Sequence, residues 1–219
     1  MMTTNNPICI ISNYDRDDEA RCIQENIACP SYVVDSSGRN KFGFYQTRDP
    51  FFAGCFNKSC EIFLASDASH CLFVCSDVKG NLQSVINRIE HLPENIGVYS
   101  PAILGQGWHH GKPQKYGLRD VPFCEGIIHC STRGVIEKVY PVDAKNYPHA
   151  YGIDFYTGYM ASAILGKRVV IDDGINVYHP FGTSYDANQA RRDMFPYITS
   201  KGPDFVQWFQ KNVATLRYA

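Results

Sequence analysis

The sequence has no apolar run that approaches the length of about 18 residues needed for a helix to cross a bilayer. Residues 1–7 also lack the basic and apolar stretches of a secretory signal. Because both kinds of targeting segment are missing, we expect a protein that has no membrane span and resides in the cytoplasm.

The chain also lacks an excess of charge of either sign, since its 21 Lys and Arg residues face 22 Asp and Glu residues. The basic residues are scattered along the sequence and form no cluster. Binding to a nucleic-acid backbone relies on a dense patch of positive charge. We therefore expect no nucleic-acid partner.

The nine cysteines are many for a chain of 219 residues, yet their odd number argues against a closed disulfide framework. Cys9, Cys71 and Cys75 lie in apolar strand-like runs, where a free thiol packs as a small hydrophobic side chain. A zinc site would need two close pairs, and the spacings of Cys55/Cys60 and Cys71/Cys75 are loose for a zinc ribbon. We therefore expect core thiols and no zinc site.

The most informative stretch of the sequence is the apolar run 71–75, which stops at Ser76 and Asp77. A run of this length predicts a buried strand, and an open α/β sheet binds its ligands just beyond the carboxyl ends of such strands. Apolar positions at helical spacing follow from Leu82. We therefore expect Asp77 in a ligand crevice. The alternative, in which Asp77 only caps a turn or the following helix, stays open.

The first half of the chain alternates between the patterns of strands and helices. Such a succession predicts parallel strands joined by right-handed crossovers, and hence an α/β fold whose mixed, mostly parallel central sheet is flanked by helices. The predicted strands are 7–13, 31–34, 71–75 and 96–101, and the predicted helices begin near 15, 53 and 82.

The second half is less regular and begins with a polar, glycine-rich loop at 105–122. We find no internal repeat and no convincing linker, so residues 1–219 are expected to form a single domain. The predicted elements are a strand over 121–130, helices over 132–139 and 153–165, two edge strands at 167–171 and 175–178 around an Asp172-Asp173-Gly174 turn, and an amphipathic helix from 204.

Three acids follow one another in a set order, each just after a predicted strand or at a predicted helix start. They are Asp35 in VVDSS, Asp77 in VCSDV and Asp154 in YGIDF, and His179 in VYHP follows them. Each also has a purely structural interpretation, because Asp35 suits a turn, Asp154 suits a helix start, and a histidine beside a proline is often packed.

This ordered set, with Asn57 upstream of Asp77, resembles the nucleotide-sugar transferases of glycosyltransferase family 2, whose domain has the Rossmann-like GT-A fold. The resemblance covers residues 7–185. It implies that Asp35, with Ser12 and Asn13, lines the pocket for the nucleobase. A carboxylate is also a suitable acceptor for an imide N–H on chemical grounds alone.

The resemblance further implies that Ser76 and Asp77 contact the sugar diphosphate and that Asp77 ligates a divalent cation, Mn²⁺ or Mg²⁺. His179 is the second implied ligand, since Mn²⁺ accepts imidazole as well as oxygen. Cys75 departs from the family's Asp-any-Asp pattern, because it replaces the first acid, which usually contacts the ribose.

For the chemical step, the resemblance implies that Asp154 is the general base of an inverting transfer. Glu125 falls where the family shapes the donor-sugar or acceptor pocket. Trp108, His109 and Tyr151 offer faces on which a sugar ring can stack, although core packing explains them equally well.

The implied partners are a UDP-sugar donor and a carbohydrate or glycoprotein-glycan acceptor. A narrower resemblance, to the amino-terminal transferase domain of a chlorella-virus protein that glycosylates the capsid, implies a fragment of a longer chain, UDP-glucose or UDP-rhamnose as donor, and the host cytoplasm. Two alternatives stay open. One is a non-catalytic nucleotide-sugar binder, and the other is a sugar nucleotidyltransferase, which is disfavoured because residues 12–16 contain no glycine.

Overall fold

The chain begins with a β-α-β unit made of strand β1 (Pro7–Asn13), helix α1 (Asp17–Glu25) and strand β2 (Ser31–Asp35). The two strands pair in parallel, with Asn13 opposite Asp35 at their carboxyl ends. The predicted first crossover is therefore confirmed. The computed structural model describes residues 4–39, 41–47, 51–104, 117–180 and 187–216.

The next segment supplies the second crossover. Strand β4 pairs in parallel with β1 on the side opposite to β2, because apolar side chains on both faces bury the strand between two helical layers. The elements are β3 (Tyr45–Gln46), α2 (Phe51–Leu64), β4 (His70–Cys75), β5 (Lys79–Gly80) and α3 (Leu82–Ile89).

The remaining elements complete the sheet and cover one of its faces. They are β6 (Ile96–Leu104), β7 (Leu118–Asp120), β8 (Ile128–Thr132), α4 (Arg133–Val139), α5 (Ile153–Tyr159) with a π-helical continuation (Met160–Ile164), β9 (Arg168–Tyr178), α6 (Ala187–Ser200) and α7 (Pro203–Asn212).

The strand order across the sheet is β3-β2-β1-β4-β8-β6-β9-β5, with β7 on β9. The connections leave β1 in opposite directions toward β2 and β4, which creates a crevice at the carboxyl ends of β1 and β4. Strand β8 is antiparallel to both β4 and β6, while β6 and β9 form the longest parallel ladder. The predicted mixed, mostly parallel α/β sheet is confirmed.

The predicted hairpin around Asp172-Asp173-Gly174 is wrong. Residues 168–178 form one continuous strand that pairs with β6 along its length, and the register shifts between Pro101 and Ala102 of β6. Opposite that shift, residues 173–175 bulge out of the β6 ladder. The predicted strand 121–130 is also shorter, since β8 begins only at Ile128 and Glu125 lies in the turn before it.

Two apolar layers hold the sheet. Helices α1 and α3 pack on one face through side chains such as Ile23, Val85 and Ile86, and α2, α4 and α5 pack on the other through Phe56, Ile136 and similar residues. A third cluster joins α5, α6 and α7 around Phe155 and Phe205. Within the described residues, no helix is both long enough and apolar enough to cross a membrane.

Candidate functional site

The centre of the candidate site is a contact between Asp77 and His179, whose Oδ1 and Nε2 atoms lie 3.1 Å apart. Asp77 follows β4 and His179 follows β9, so the two residues come from distant parts of the chain. They meet because β5, which begins two residues after Asp77, pairs antiparallel with the end of β9. Gly80 permits this approach, since a Cβ there would lie 3.2 Å from the backbone of Val177 and its φ is +146°.

The electrostatics of the site favour an ionised Asp77. Burial alone would raise the pKa of this carboxyl, but the hydrogen bond and the positive charge of His179 outweigh it. Arg16 lies 3.9 Å from the other carboxylate oxygen and lowers the pKa further. The net result is a pKa below the ordinary value of 3.8. Asp77 therefore carries its charge at neutral pH.

The Asp77 and His179 pair provides the donor atoms that a small divalent cation uses. Carboxylate oxygen suits Mg²⁺ and Mn²⁺, and Mn²⁺ also accepts imidazole nitrogen. Two protein ligands leave coordination positions for phosphate oxygens and water. The described residues include no cluster of three or more His, Cys, Asp or Glu side chains able to hold a metal. The pair thus fits a cation that is shared with a ligand and not one enclosed by protein alone.

Ser12, Asn13 and Ser76 lie beside this pair. Ser12 is opposite Cys75 in the ladder between β1 and β4, and the backbone N–H of Ser76 donates to the carbonyl of Ser12 at 3.0 Å. The carboxyl ends of β1 and β4 are therefore locked together. This contact places Ser12 and Asn13 at the same crevice as Asp77.

Asp35 is the fully buried end of β2, with 0% of its surface exposed. Its Oδ1 accepts a hydrogen bond from Asn13 at 2.9 Å. Its Oδ2 accepts from the Ser37 hydroxyl at 2.9 Å, the Gly38 backbone at 3.2 Å and the Gln46 side chain at 3.1 Å. A nucleobase reaches this carboxylate only if one of these donors, such as the Gln46 amide, moves aside.

Asn13 is also buried, and its Nδ2 donates both to Asp35 at 2.9 Å and to Asp17 at 2.8 Å. Asp17 in turn accepts from the backbone N–H of Lys41 at 2.7 Å. The single amide of Asn13 therefore joins β1, β2 and α1. In this structure Asn13 supports the shape of the predicted nucleobase pocket.

Asn57, in α2, bonds to a different part of the chain. Its amide pairs with the backbone of Val142 in both directions, donating at 2.8 Å and accepting at 2.8 Å. These two hydrogen bonds connect α2 to the loop after α4. The structure thus gives Asn57 a clear structural task.

Cys75 occupies the position where the resembled family has its first acid. Burial raises the pKa of its thiol to about 12, and the negative charge of Asp77 adds to this effect. The side chain is therefore a neutral thiol at physiological pH, and it lacks the charge that a hard divalent cation prefers.

We predict that Cys75→Ser leaves the affinity for Mn²⁺ in the presence of UDP within about twofold of the parent, because a neutral thiol contributes little to a hard cation. Titration monitored by the electron paramagnetic resonance (EPR) signal of free Mn²⁺ measures this affinity. A loss of tenfold or more would instead make the thiol a ligand.

Asp154 and Glu125 form a second acidic group near the same edge of the sheet. Glu125 lies in the turn before β8, and Ile127 of that turn accepts a hydrogen bond from the backbone of Cys75 at 2.9 Å. Asp154 lies in the first turn of α5. Desolvation raises the pKa of Asp154 to about 7, and the negative charge of Glu125 adds to the increase, while a hydrogen bond from the Phe155 backbone opposes it. A carboxyl with this pKa can exchange a proton at neutral pH.

Helix α6, which the sequence analysis missed, covers the turn that leads to Asp154. Asp193 of α6 lies 3.2 Å from Nδ1 of His149. At Gly152, whose φ is +97°, a Cβ would lie 3.2 Å from the ring of Tyr197. The buried positions of α6 were the available signal, since Ala190, Tyr197 and Ile198 follow helical spacing.

A groove of about 620 Å³ opens beside Asp77, between α1 and the start of α3. Arg16 and Lys79 line it as cations, and Ile23 of α1 supplies part of its apolar wall. The exposed Cys22 also faces this groove. The groove thus has room for a ligand next to Asp77, and its two cations are balanced by the carboxylates of Glu19 and Asp77.

Of the aromatic residues considered for sugar stacking, Trp108 and His109 lie outside the described residues. Tyr151 is partly exposed in the turn before α5, three residues before Asp154. Its position near Asp154 agrees with the predicted stacking role, which stays a prediction.

The overall structure is similar to two solved glycosyltransferases. The mannosyltransferase PcManGT from Pyrobaculum calidifontis, in complex with GDP-Man and Mn²⁺, matches with a TM-score of 0.58 and 12% identity, covering 100% of this chain and 67% of that chain. GalNAc-T7 with UDP, GalNAc and Mn²⁺ matches with a TM-score of 0.66 and 10% identity, covering 100% of this chain and 53% of that one. The chain thus spans about two thirds and about half of these proteins.

No protein-family model and no curated protein matches the sequence. At these identities the similarity defines the fold, which is the GT-A fold of glycosyltransferases. The fold expected from the resemblance is therefore confirmed, and the residues of the site carry the argument about activity.

Proposed function

We propose that this protein is a metal-dependent glycosyltransferase that moves a sugar from a UDP-sugar to a carbohydrate acceptor. The observation that carries the proposal is the Asp77 and His179 pair, 3.1 Å apart, at the carboxyl edge of a GT-A sheet. Both solved neighbours were crystallised with Mn²⁺ and a nucleotide or nucleotide sugar, which supports the same ligand class here.

In this proposal Asp77 and His179 hold a divalent cation, Mn²⁺ or Mg²⁺, together with the diphosphate of the donor. The cation supplies positive charge to the departing diphosphate when it is bound. Arg16 and Lys79, which line the adjoining groove, add positive charge on the protein side. Ser12 and Ser76, at the joined ends of β1 and β4, form the floor of the crevice.

The nucleobase is proposed to bind at the carboxyl end of β2. Asp35 accepts a hydrogen bond from the imide N–H of uracil once the Gln46 amide, which donates to it at 3.1 Å, has moved away. Because Asn13 holds the other oxygen of Asp35, the carboxylate keeps its orientation during this exchange. A uracil base suits this arrangement because a carboxylate can only accept a hydrogen bond.

Asp154 is proposed as the general base that removes the proton of the acceptor hydroxyl as its oxygen attacks the anomeric carbon with inversion. Its pKa of about 7 suits this role, because half of the molecules hold the base form at neutral pH. Glu125 shapes the acceptor side of the pocket, and its negative charge adds to desolvation, which is the main cause of the raised pKa of Asp154.

A screen of nucleotides tests the proposal directly. UDP at 100 times its dissociation constant stabilises a protein by about 2.7 kcal/mol, which raises Tm by about 5–10 °C for a chain of this size. We expect that increase with UDP and Mn²⁺ together, and less than half of it with UDP and EDTA. GDP under the same conditions is the control for the base.

An equal increase with and without metal contradicts the metal-dependent assignment, and a larger response to GDP contradicts the choice of uracil. Assays with UDP-glucose and with a UDP-rhamnose type of donor then narrow the identity of the transferred sugar. Slow, Mn²⁺-dependent release of UDP from one of them identifies the donor.

Cys75 favours one alternative, a binder of nucleotide sugars without transfer activity. A neutral thiol stands where the resembled family has an acid, so contacts to the ribose differ. Binding of UDP-sugars without any release of UDP, tested across a panel of glycan acceptors, would support this alternative.

A further inference from the structure

The bulge in β9 lies between the centre of the sheet and His179. Residue Asp172 still pairs with Pro101 of β6, whereas pairing resumes only at Asn176 with Ala102. The three residues between them are therefore extra length within the strand. Because the bulge precedes Val177 and Tyr178, it sets which residues of β9 face β5 and where His179 emerges.

An ion pair between a buried carboxylate and a half-exposed guanidinium holds this bulge against the helix that follows Asp77. Asp172 is completely buried, and its Oδ2 lies 2.7 Å from Nε of Arg88 on α3. The contact is an ion pair without a well-directed hydrogen bond, since that oxygen accepts no properly aligned donor among the described residues. The other oxygen, Oδ1, accepts from the backbone N–H of Gly174 at 2.9 Å and so shapes the bulge itself.

A second ion pair fixes the opposite side of the bulge. Asp173 is 4% exposed and accepts a hydrogen bond from Nε of Arg119 on β7 at 2.8 Å. Its backbone N–H donates to the carbonyl of Gly117 at 3.0 Å. Since β7 pairs antiparallel with β9, this contact keeps the bulge within the sheet, whereas Arg88 connects it to the α3 layer.

The contact between Arg88 and Asp172 joins the segments around the candidate metal site into a continuous ring. Asp77 leads through β5 into α3, which carries Arg88, and Asp172 leads through the bulge and the end of β9 to His179. The pairing of Lys79 with Tyr178 and the contact between Asp77 and His179 complete the ring.

We propose that Arg88 and Asp172 are positioning residues that set the spacing of Asp77 and His179 and thereby the affinity for the divalent cation. This inference rests on the proposed function for the identity of the ligand. The pair adds little net stability, because desolvation of the buried Asp172 carboxylate offsets much of its attraction to the half-exposed Arg88. Because the pair joins β9 to α3 next to the site, its main effect is on the local geometry.

The test removes the pair without leaving a buried charge. Arg88→Gln alone would strand the Asp172 carboxylate, so the main variant is the double substitution R88Q/D172N. The control is R168Q/D120N, which removes the more exposed ion pair between Arg168 and Asp120 (2.7 Å) at the start of β9, where Asp120 is 68% exposed. The two arginines are comparably exposed, with 44% and 39% of their side-chain surface accessible.

Two measurements separate positioning from the proposed function. The first is the Mn²⁺ dissociation constant in the presence of UDP, from EPR of free Mn²⁺. The second is the hydrogen exchange of segments 77–80 and 176–179 without metal or nucleotide. For R88Q/D172N we expect the dissociation constant to rise about 10- to 100-fold, as when the supports of metal ligands are removed. Exchange in both segments should accelerate by about tenfold or more. The single variant R88K, which keeps the positive charge, should retain most of the parent's Mn²⁺ affinity and most of its protection from exchange.

The control R168Q/D120N should stay within about twofold of the parent in both measurements. Parent-like Mn²⁺ binding and exchange in folded R88Q/D172N would overturn the proposal. So would a double variant that fails to fold while the control folds, since the pair would then serve the fold as a whole. If the parent binds no Mn²⁺ but the exchange accelerates as expected, the proposed function fails, and only the role of the pair in setting the spacing of Asp77 and His179 stands.

Discussion

Asp77→Ala is expected to abolish most of the metal-dependent response to UDP and to lower kcat/KM for sugar transfer by about 10²–10³-fold. This loss corresponds to about 3–4 kcal/mol of transition-state stabilisation, the scale of a group that acts on developing charge. The carboxylate supplies the oxygen that faces Nε2 of His179 at 3.1 Å, and alanine leaves a lone imidazole. Differential scanning fluorimetry with UDP, with and without Mn²⁺, measures the first effect.

The substitution Asp77→Ala also changes the Tm of the protein without ligand. The folded-state pKa of Asp77 is lowered, so its ionised form stabilises the protein above the unfolded pKa of about 4, and this stabilisation is lost as the pH falls through the folded value. Asp77→Ala should therefore lower the ligand-free Tm slightly at pH 7. The rise in Tm caused by UDP and Mn²⁺ is therefore calculated from the ligand-free Tm of each protein.

Asp67→Ala is a suitable control, because Asp67 is exposed and precedes β4 at the end opposite to Asp77. The control should keep the full metal-dependent increment. An Asp77→Ala variant that retains the increment would contradict the assignment of the metal site.

Asp154→Asn is expected to lose about 10³-fold in transfer activity and yet to gain stability at alkaline pH. The loss follows because an amide cannot accept the proton of the acceptor hydroxyl, and general-base catalysis contributes about 10²–10⁴-fold. UDP and Mn²⁺ should bind normally, since Asp77 and His179 are unchanged. Steady-state transfer assays and the Tm of both proteins between pH 4 and 9 provide the measurements.

The gain in stability follows from the direction of the pKa shift. The folded protein holds the proton of Asp154 with a pKa of about 7, above the ordinary value of 3.8, so the carboxyl favours folding below pH 4 and loses that contribution as the pH rises through 7. The full shift corresponds to at most about 4 kcal/mol. Because the side chain is partly exposed, we expect a gain of about 1–2 kcal/mol for Asp154→Asn at pH 8 and none near pH 4.

Asp204→Asn is the matched control for this pH dependence. Asp204 also lies in the first turn of a helix, α7, but it is exposed. Its replacement should change the Tm little at any pH between 4 and 9. The same small, pH-independent change in Asp154→Asn would contradict the raised pKa, and unchanged transfer activity would exclude Asp154 as the base.

The parts of the fold that could be predicted from the sequence are those fixed by local periodicity. The run that ends before Asp77 forms β4, and Leu82, Val85 and Ile86 form the buried face of α3 as their spacing indicates. The short length of the continuous apolar run favours a strand, and the spacing of the apolar residues after it favours a helix.

The missed elements depend on contacts between distant residues. The Asp172-Asp173-Gly174 segment has the composition of a hairpin turn, but ion pairs with Arg88 and Arg119 stabilise a bulge inside a continuous strand. Local sequence carries no information about partners that lie 54 or more residues away. Helix α6 was obscured by Pro196 inside it and by its polar exposed face.

The residues of the candidate site also fall into those that could be predicted from the sequence and those that could not. Asp77 and His179 were expected as ligands of one cation, and the structure brings them into contact. The donors that surround Asp35 and the pairing of Asn57 with Val142 were beyond sequence reasoning, because they arise only when separate segments pack together.

The single exposed thiol has a practical consequence. Cys22 is the only one of the nine cysteines that is exposed. Cys29 and Cys75 are only partly buried, but burial raises the pKa of Cys29 to about 11 and that of Cys75 to about 12. A maleimide dye should thus attach selectively to the unaltered chain. Since Cys22 lines the groove beside Asp77, the fluorophore would sit where it can report occupancy in real time, without an engineered label.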